Sequence, residues 1–135
     1  YFAGTALAGT PLRTTAEAID FNWDRGAPAA GVPVDNFSVR WSGWVEAPET
    51  GAVVFQTRSD DGVRVWVNGV QVISNWTDHG VTDNTSAAVS MVAGQRLRIV
   101  VEYYERGGRA EIALRWRWPA VSVFTAVPAN RLYLP

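Results

Sequence analysis

The sequence predicts an all-β protein, built as an antiparallel β-sandwich or barrel. Apolar and polar residues alternate along five separate runs, which is the pattern of strands that bury one face. Turn residues separate these runs, and no segment shows the apolar spacing of a useful helix. Together these observations favour many short strands around one core.

Each of the five runs has a period of two residues. In the first, Phe37, Val39 and Val45 share one side of the strand, while Ser38 and Arg40 lie on the other. The five runs cover residues 37–46, 53–58, 63–68, 97–104 and 110–116. A chain of 135 residues is long enough to bury one sizeable core, so we expect a single domain over residues 1–135.

Turn chemistry marks the ends of the strands. Asn68-Gly69 lies between two Val-rich stretches and predicts a two-residue hairpin, since such a turn needs positive φ. Further turns are predicted at 48–51, 93–94 and 107–108. The remaining predictions are one short helical turn at 14–18 and irregular segments at 25–33 and 78–86.

The composition excludes several classes of function. The net charge is −1, whereas a nucleic-acid-binding domain usually carries a basic field. The sequence has no cysteine, so disulfides, thiolate metal sites and a thiol nucleophile are excluded. No apolar run approaches the length of a membrane span. The abrupt start at Tyr1 and the strand-like end suggest a domain cut from a longer protein, whose export signal lies elsewhere. We expect that protein to be bacterial and the domain to be a monomer.

The order of motifs resembles the PA-fourteen domain family, named after the anthrax protective antigen. The matching segments extend over nearly the whole chain; the main ones are 20–23, 37–43, 59–69, 101–105 and 114–116. The resemblance implies the β-sandwich or barrel of this family. Its members are modules of bacterial glycosidases, toxins and adhesins and of yeast flocculation adhesins, and several bind sugars through calcium.

Asp60 and Asp61 are the predicted metal ligands. Neighbouring side chains of an extended trans chain point to opposite faces, so a cis peptide would be needed to bring both carboxylates to one side. Calcium prefers such oxygen ligands. The resemblance implies this cis pair, a calcium ion and two sugar hydroxyls that complete its coordination. Gly62 would let the backbone approach closely.

A second loop should supply the other ligands. The resemblance places it at 105–109, where Glu105 and the Gly107 carbonyl are candidates. Arg106 is a candidate ligand-binding residue, but it also offers an alternative: its guanidinium could pair with Asp60 or Asp61 in place of a metal.

Aromatic residues give further candidates. Trp44 lies on the polar side of its strand and could stack on a sugar ring, while Trp76 and His79 stand in a loop where a structural role is the simpler reading. Four other tryptophans, which follow strand patterns, are expected in the core: Trp23, Trp41, Trp66 and Trp116.

We therefore expect an extracellular or cell-surface carbohydrate-binding module that depends on calcium. The alternative is a metal-free structural or protein-interaction module of a larger secreted enzyme or adhesin, which would contact other domains of its parent. A glycosidase is not expected, because its two carboxylates stand about 5–9.5 Å apart across the scissile bond. Asp60 and Asp61 are tethered neighbours and cannot easily flank a sugar in that way.

Overall fold

Two antiparallel sheets of six strands each form the protein, and the computed structural model describes residues 1–135. No α-helix is present; one short 3-10 turn covers Ala129–Arg131. The strands are β1 (Phe2–Ala3), β2 (Asp20–Asp24), β3 (Phe37–Glu46), β4 (Gly51–Asp60), β5 (Val63–Val67), β6 (Val70–Asn75), β7 (Thr82–Thr85), β8 (Val89–Met91), β9 (Arg96–Glu105), β10 (Ala110–Arg117), β11 (Thr125–Ala126) and β12 (Leu132–Tyr133). The predicted all-β class is confirmed, and the sheets form a sandwich, not a closed barrel.

The first sheet has the order β1-β3-β9-β5-β6, with β12 also paired to β3. The second has the order β11-β10-β4-β7, with β2 on β10 and β8 on β4. The chain crosses between the sheets from β4 to β5 and again from β9 to β10. Because the end of β4 pairs with the start of β10 (Asp60 with Glu111) and the start of β5 pairs with the end of β9 (Val63 with Tyr103), both crossings lie at the same end of the sandwich.

The inward faces of the long strands meet in a core of 23 buried residues. Phe37, Phe55 and Tyr103 are among the largest of these fully buried side chains. Burying apolar area at roughly 25 cal/mol per Å² is the main stabilising term of such a core. The period-two pattern therefore predicted correctly which side of each strand faces inward.

The hairpin prediction at Asn68-Gly69 is confirmed, since both residues have positive φ and Val67 pairs with Val70. Two local predictions are wrong. Residues 14–18 form no helical turn, and part of the segment predicted as irregular forms β7, which pairs with β4. Polar residues can hold such an edge strand because backbone hydrogen bonds, not burial, define it.

Candidate metal and ligand site

The β4–β5 and β9–β10 crossings between the sheets bring three carboxylates together. Asp60 ends β4, Asp61 lies in the corner that leads to β5, and Glu105 ends β9. Each offers a carboxylate oxygen, and these atoms lie within 4.8 Å of one another. The peptide bond between Asp60 and Asp61 is cis, as the family resemblance implied.

Backbone groups fix the position of Asp61. Its Oδ1 accepts a hydrogen bond from the His79 amide at 3.1 Å, and its Oδ2 accepts one from the Arg106 amide at 2.9 Å. The Tyr103 hydroxyl donates to the Asp60 carbonyl oxygen at 2.6 Å, and the Ser59 hydroxyl donates to the Asp61 carbonyl oxygen at 3.0 Å. The corner is therefore held by strands and loops on both sides of it.

Glu105 lies two residues after Tyr103, on the same inward side of β9. It is 0% exposed, and neither carboxylate oxygen has a hydrogen-bond partner. Burying a charged group without a partner is costly, and the usual remedies are a counter-ion or a metal. Converging carboxylate oxygens are the ligands that calcium prefers, and both oxygens of Glu105 are without a protein donor. The three residues thus fit a calcium ion.

The electrostatics of the three groups reflect their crowding. Burial, and then the negative charge of Asp61, raises the pKa of Asp60 to about 6. Burial, and then the charges of Asp61 and Asp60, raises the pKa of Glu105 to about 8. Both shifts disfavour the ionised carboxylate, so a bound cation would relieve the repulsion that causes them.

Arg106 does not neutralise the aspartate pair. Its guanidinium forms an ion pair with Asp78, with Nε 2.9 Å from Oδ2, and both side chains are more than half exposed. Only its backbone amide contacts Asp61. The alternative in which this arginine takes the place of a metal therefore disagrees with the structure. Gly107 is exposed in the turn between β9 and β10.

Trp76 and His79 lie beside the site. The Trp76 ring packs edge-on against Tyr104, with ring centres 4.8 Å apart, and the guanidinium of Arg64 lies 3.9 Å from the Trp76 ring centre. The His79 ring bonds to the Gly80 carbonyl oxygen through Nδ1, while Nε2 is buried without a partner. Trp76 is thus packed within the chain, and one ring nitrogen of His79 is left without a partner beside the carboxylates.

Trp44 is not part of this site. It pairs with Arg98 on β9, seven residues from Glu105, which corresponds to about 23 Å along a strand. Trp66 was expected in the core, but it faces outward beside Arg64, with 5.5 Å between guanidinium and ring centre. Trp116 is buried as expected, and Trp23 and Trp41 pack against the core from partly buried positions.

Two residues of this region were not predicted from the sequence. Asp78 accepts a hydrogen bond from the Tyr104 hydroxyl at 2.6 Å, and this bond, followed by the contact with Arg106, lowers the pKa of Asp78. Tyr104 also lies so close to Gly62 that a side chain at that position would overlap its ring. No sequence period signals these contacts, since they join loops and strands distant in sequence.

Comparison with known proteins gives consistent matches. The family model of the PA14 domain matches residues 1–128. The curated anti-sigma-I factor RsgI3 of Acetivibrio thermocellus is 35% identical over 116 residues, which cover 86% of this chain and 18% of that protein. The chain therefore spans under a fifth of the length of this relative.

Solved structures show the same fold. An anti-sigma factor domain-containing protein from Clostridium clariflavum is 32% identical, with a TM-score of 0.92 over 99% of this chain and 46% of that one. A structure described as the PA14 sugar-binding domain from RTX adhesin is 21% identical, with a TM-score of 0.63 over 73% of this chain and 54% of that one. At that identity the second match indicates the fold alone. The structure contains no helix that is long and apolar enough to cross a membrane.

Proposed function

Because the chain belongs to the PA14 domain family, we propose that it is a non-catalytic module that binds glycan through calcium held by Asp60, Asp61 and Glu105. The observation that carries this proposal is the convergence of three carboxylates around Glu105, which is buried and accepts no hydrogen bond. When bound, calcium would supply coordination positions for the hydroxyls of a sugar.

The protein's own residues prepare the site. Backbone amides of His79 and Arg106 hold the Asp61 carboxylate in place, with an oxygen within 4.8 Å of those of the other two acids. Neither carboxylate oxygen of Glu105 has a hydrogen-bond partner that an ion would have to displace. Such a preorganised cluster loses little conformational entropy when it binds an ion.

The setting of this module is part of the proposal. We infer that residues 1–135 form one domain of a larger bacterial protein and that it acts outside the cell or on its surface. Calcium sites of extracellular modules work at calcium concentrations of about 10⁻⁴–10⁻³ M. Its partners would be a glycan and the other domains of the parent protein, and we expect the isolated domain to be a monomer.

Calcium titration of the metal-stripped chain and a glycan array with calcium or EDTA test the proposal. Asp60→Asn should abolish both calcium binding and glycan binding. The control is Asp83→Asn, a half-exposed carboxylate on β7 that lies 3.5 Å from Arg58 and outside the cluster. Binding of uncharged glycans that persists in EDTA, or a chain that binds no calcium, would contradict the calcium route.

A second function is favoured by the relatives of 32–35% identity, which are anti-sigma factor proteins. In this alternative the module contacts another part of its parent or another protein and binds no sugar. It predicts that no glycan on the array is retained at millimolar concentration, even where calcium stabilises the chain. A calcium-dependent array signal lost in Asp60→Asn would rule it out.

A further inference from the structure

The outward side of the first sheet carries a second cluster of charged and aromatic side chains, on the opposite face of β9 from Glu105. Neighbouring strands β3, β9 and β5 place Arg40, Glu102 and Arg64 in one row. Glu102 accepts a hydrogen bond from Arg40 Nε at 2.8 Å and another from Arg64 Nε at 2.6 Å. This carboxylate is 5% exposed, so its two bonds fix both arginines on the sheet.

We define the outer arginine surface as the side chains of this row and of the neighbouring outward-facing positions: Arg40, Trp44, Arg64, Trp66 and Arg98. Trp66 lies opposite Val100, and Trp44 lies opposite Arg98. A shallow open depression of about 480 Å³ covers part of this surface, and it is lined by Arg64, Trp66, Gly69, Arg98, Val100 and Glu102.

This surface is positively charged although the whole chain is not. Three arginines face one carboxylate, Glu102, so the local sum is +3 − 1 = +2, while the chain as a whole carries −1. Arg98 is exposed, and its side chain makes no hydrogen bond or ion pair. Arginine presents a planar fork of donors that matches a carboxylate in a bidentate manner. The depression therefore suits an anionic ligand.

Aromatic rings flank the arginines. The Arg98 guanidinium lies 5.8 Å from the ring centre of Trp44, and that of Arg64 lies 5.5 Å from the ring centre of Trp66. Trp44 is 37% exposed and Trp66 is partly exposed. From the strand spacing and rise, the Cα atoms of the two tryptophans are about 12 Å apart. A single small anion cannot contact both rings, but a chain of ring-shaped units can.

We propose that the outer arginine surface binds an acidic polysaccharide, one whose sugar rings carry carboxylates. The tryptophan rings would stack on the apolar C–H faces of the sugars, while Arg98 and Arg64 would pair with the carboxylates. Charge complementarity selects a uronate chain over a neutral one. The open, flat shape of this sheet face suits a polysaccharide better than a peptide, which usually adds to a sheet edge or fills a groove.

This surface is independent of the proposed calcium site. Arg98 and Glu105 are seven residues apart on β9, or about 23 Å along the strand. Binding to the outer arginine surface therefore requires no metal, and EDTA should not affect it. The two sites can be tested separately in the same chain.

The experiment measures binding of polygalacturonate by titration calorimetry in EDTA, which also prevents calcium from gelling the polymer. Arg98→Glu should weaken binding by about tenfold or more, the effect of losing one charge-assisted hydrogen bond. Arg115→Glu is the matched control, because this substitution makes the same change in charge at a partly exposed residue on the outward side of the second sheet. Asp60→Asn should leave the affinity unchanged.

Two further arms keep the test decisive. Methyl-esterified polygalacturonate should bind weakly, and Trp66→Ala should weaken binding as Arg98→Glu does, with thermal melting used to confirm that each variant folds. If Arg98→Glu does not fold, Arg98→Gln replaces it. No binding in EDTA, equal weakening by Arg98→Glu and Arg115→Glu, or equally tight binding of poly-glutamate would each overturn the proposal; the last would indicate a protein partner.

Discussion

Replacing Glu105 with Gln should raise stability without calcium and reduce the further stabilisation that calcium supplies. Glu105 is fully buried, and its carboxylate lies within 4.8 Å of those of Asp60 and Asp61. Glutamine keeps the shape of the side chain and removes its charge. Its amide can also donate hydrogen bonds to the neighbouring carboxylates. The variant therefore separates the repulsion in the metal-free site from the attraction to an ion.

The metal-free effect follows from Coulomb's law. At 4.8 Å and an effective dielectric constant of about 20, two unit charges repel by about 3.5 kcal/mol. Protonation already relieves part of this repulsion, so we expect Glu105→Gln to gain about 2 kcal/mol at pH 8 in EDTA. For 135 residues, unfolding entropy makes this a rise in Tm of about 7 °C.

The effect on the stabilisation by calcium has the opposite sign. Free calcium at about 100 times Kd should stabilise the unaltered chain by about 2.7 kcal/mol, or about 9 °C in Tm. Glu105→Gln loses a charged ligand and should lose more than about half of this increment, because calcium affinity depends on the number of charged ligands. Calorimetric melting with EDTA or calcium measures both quantities.

Glu102→Gln is the control, since Glu102 is also buried on β9 but pairs with Arg40 and Arg64. It should lower Tm in both buffers and leave the calcium increment unchanged. The reasoning is refuted if Glu105→Gln keeps the full increment, or if it lowers Tm in EDTA.

Two other predictions test the same corner. In EDTA, the free energy of unfolding should fall as pH rises from about 4.5 to 8. The raised pKa values let Asp60 and Glu105 of the folded chain hold protons that the unfolded chain has released. Thermal melting across this pH range measures the effect, and a rise in Tm would contradict it. Gly62→Ala should cost about 1–3 kcal/mol in urea unfolding, since its Cβ would overlap the Tyr104 ring. The control Gly80→Ala, where a Cβ meets nothing, should stay within about 0.5 kcal/mol, and equal effects would argue against the overlap.

Much of the fold could be predicted from local pattern. The five alternating runs correspond to β3, β4, β5, β9 and β10, and the hairpin at Asn68-Gly69 lies where positive φ was required. The strand Thr82–Thr85 escaped prediction because its residues are polar and alternate without an apolar face. Its existence depends on the free edge of β4, which no property of its own residues reveals.

The candidate site was predictable in part. Asp60 and Asp61 are adjacent, so their sequence alone indicated an acidic corner. Glu105 carried a weaker signal, since it extends the inward-facing series of β9 by one step, where an apolar residue would be expected. The outward position of Trp66 was also visible in the alternation, but its aromatic character suggested the core instead.

The sequence by itself determined the strands, their inward faces and the hairpin turn, because burial on one side and the φ angle of a turn act over a few residues. Tertiary structure alone decided which distant groups meet. Asp61 and Glu105 become neighbours because two crossings between the sheets fall at one end, and the Arg106 side chain turns to Asp78 because that carboxylate lies within its reach. Register joins Arg40, Glu102 and Arg64 across three strands in the same way. Such contacts depend on strand order and on the direction of the crossings, which cannot be predicted from the local sequence pattern.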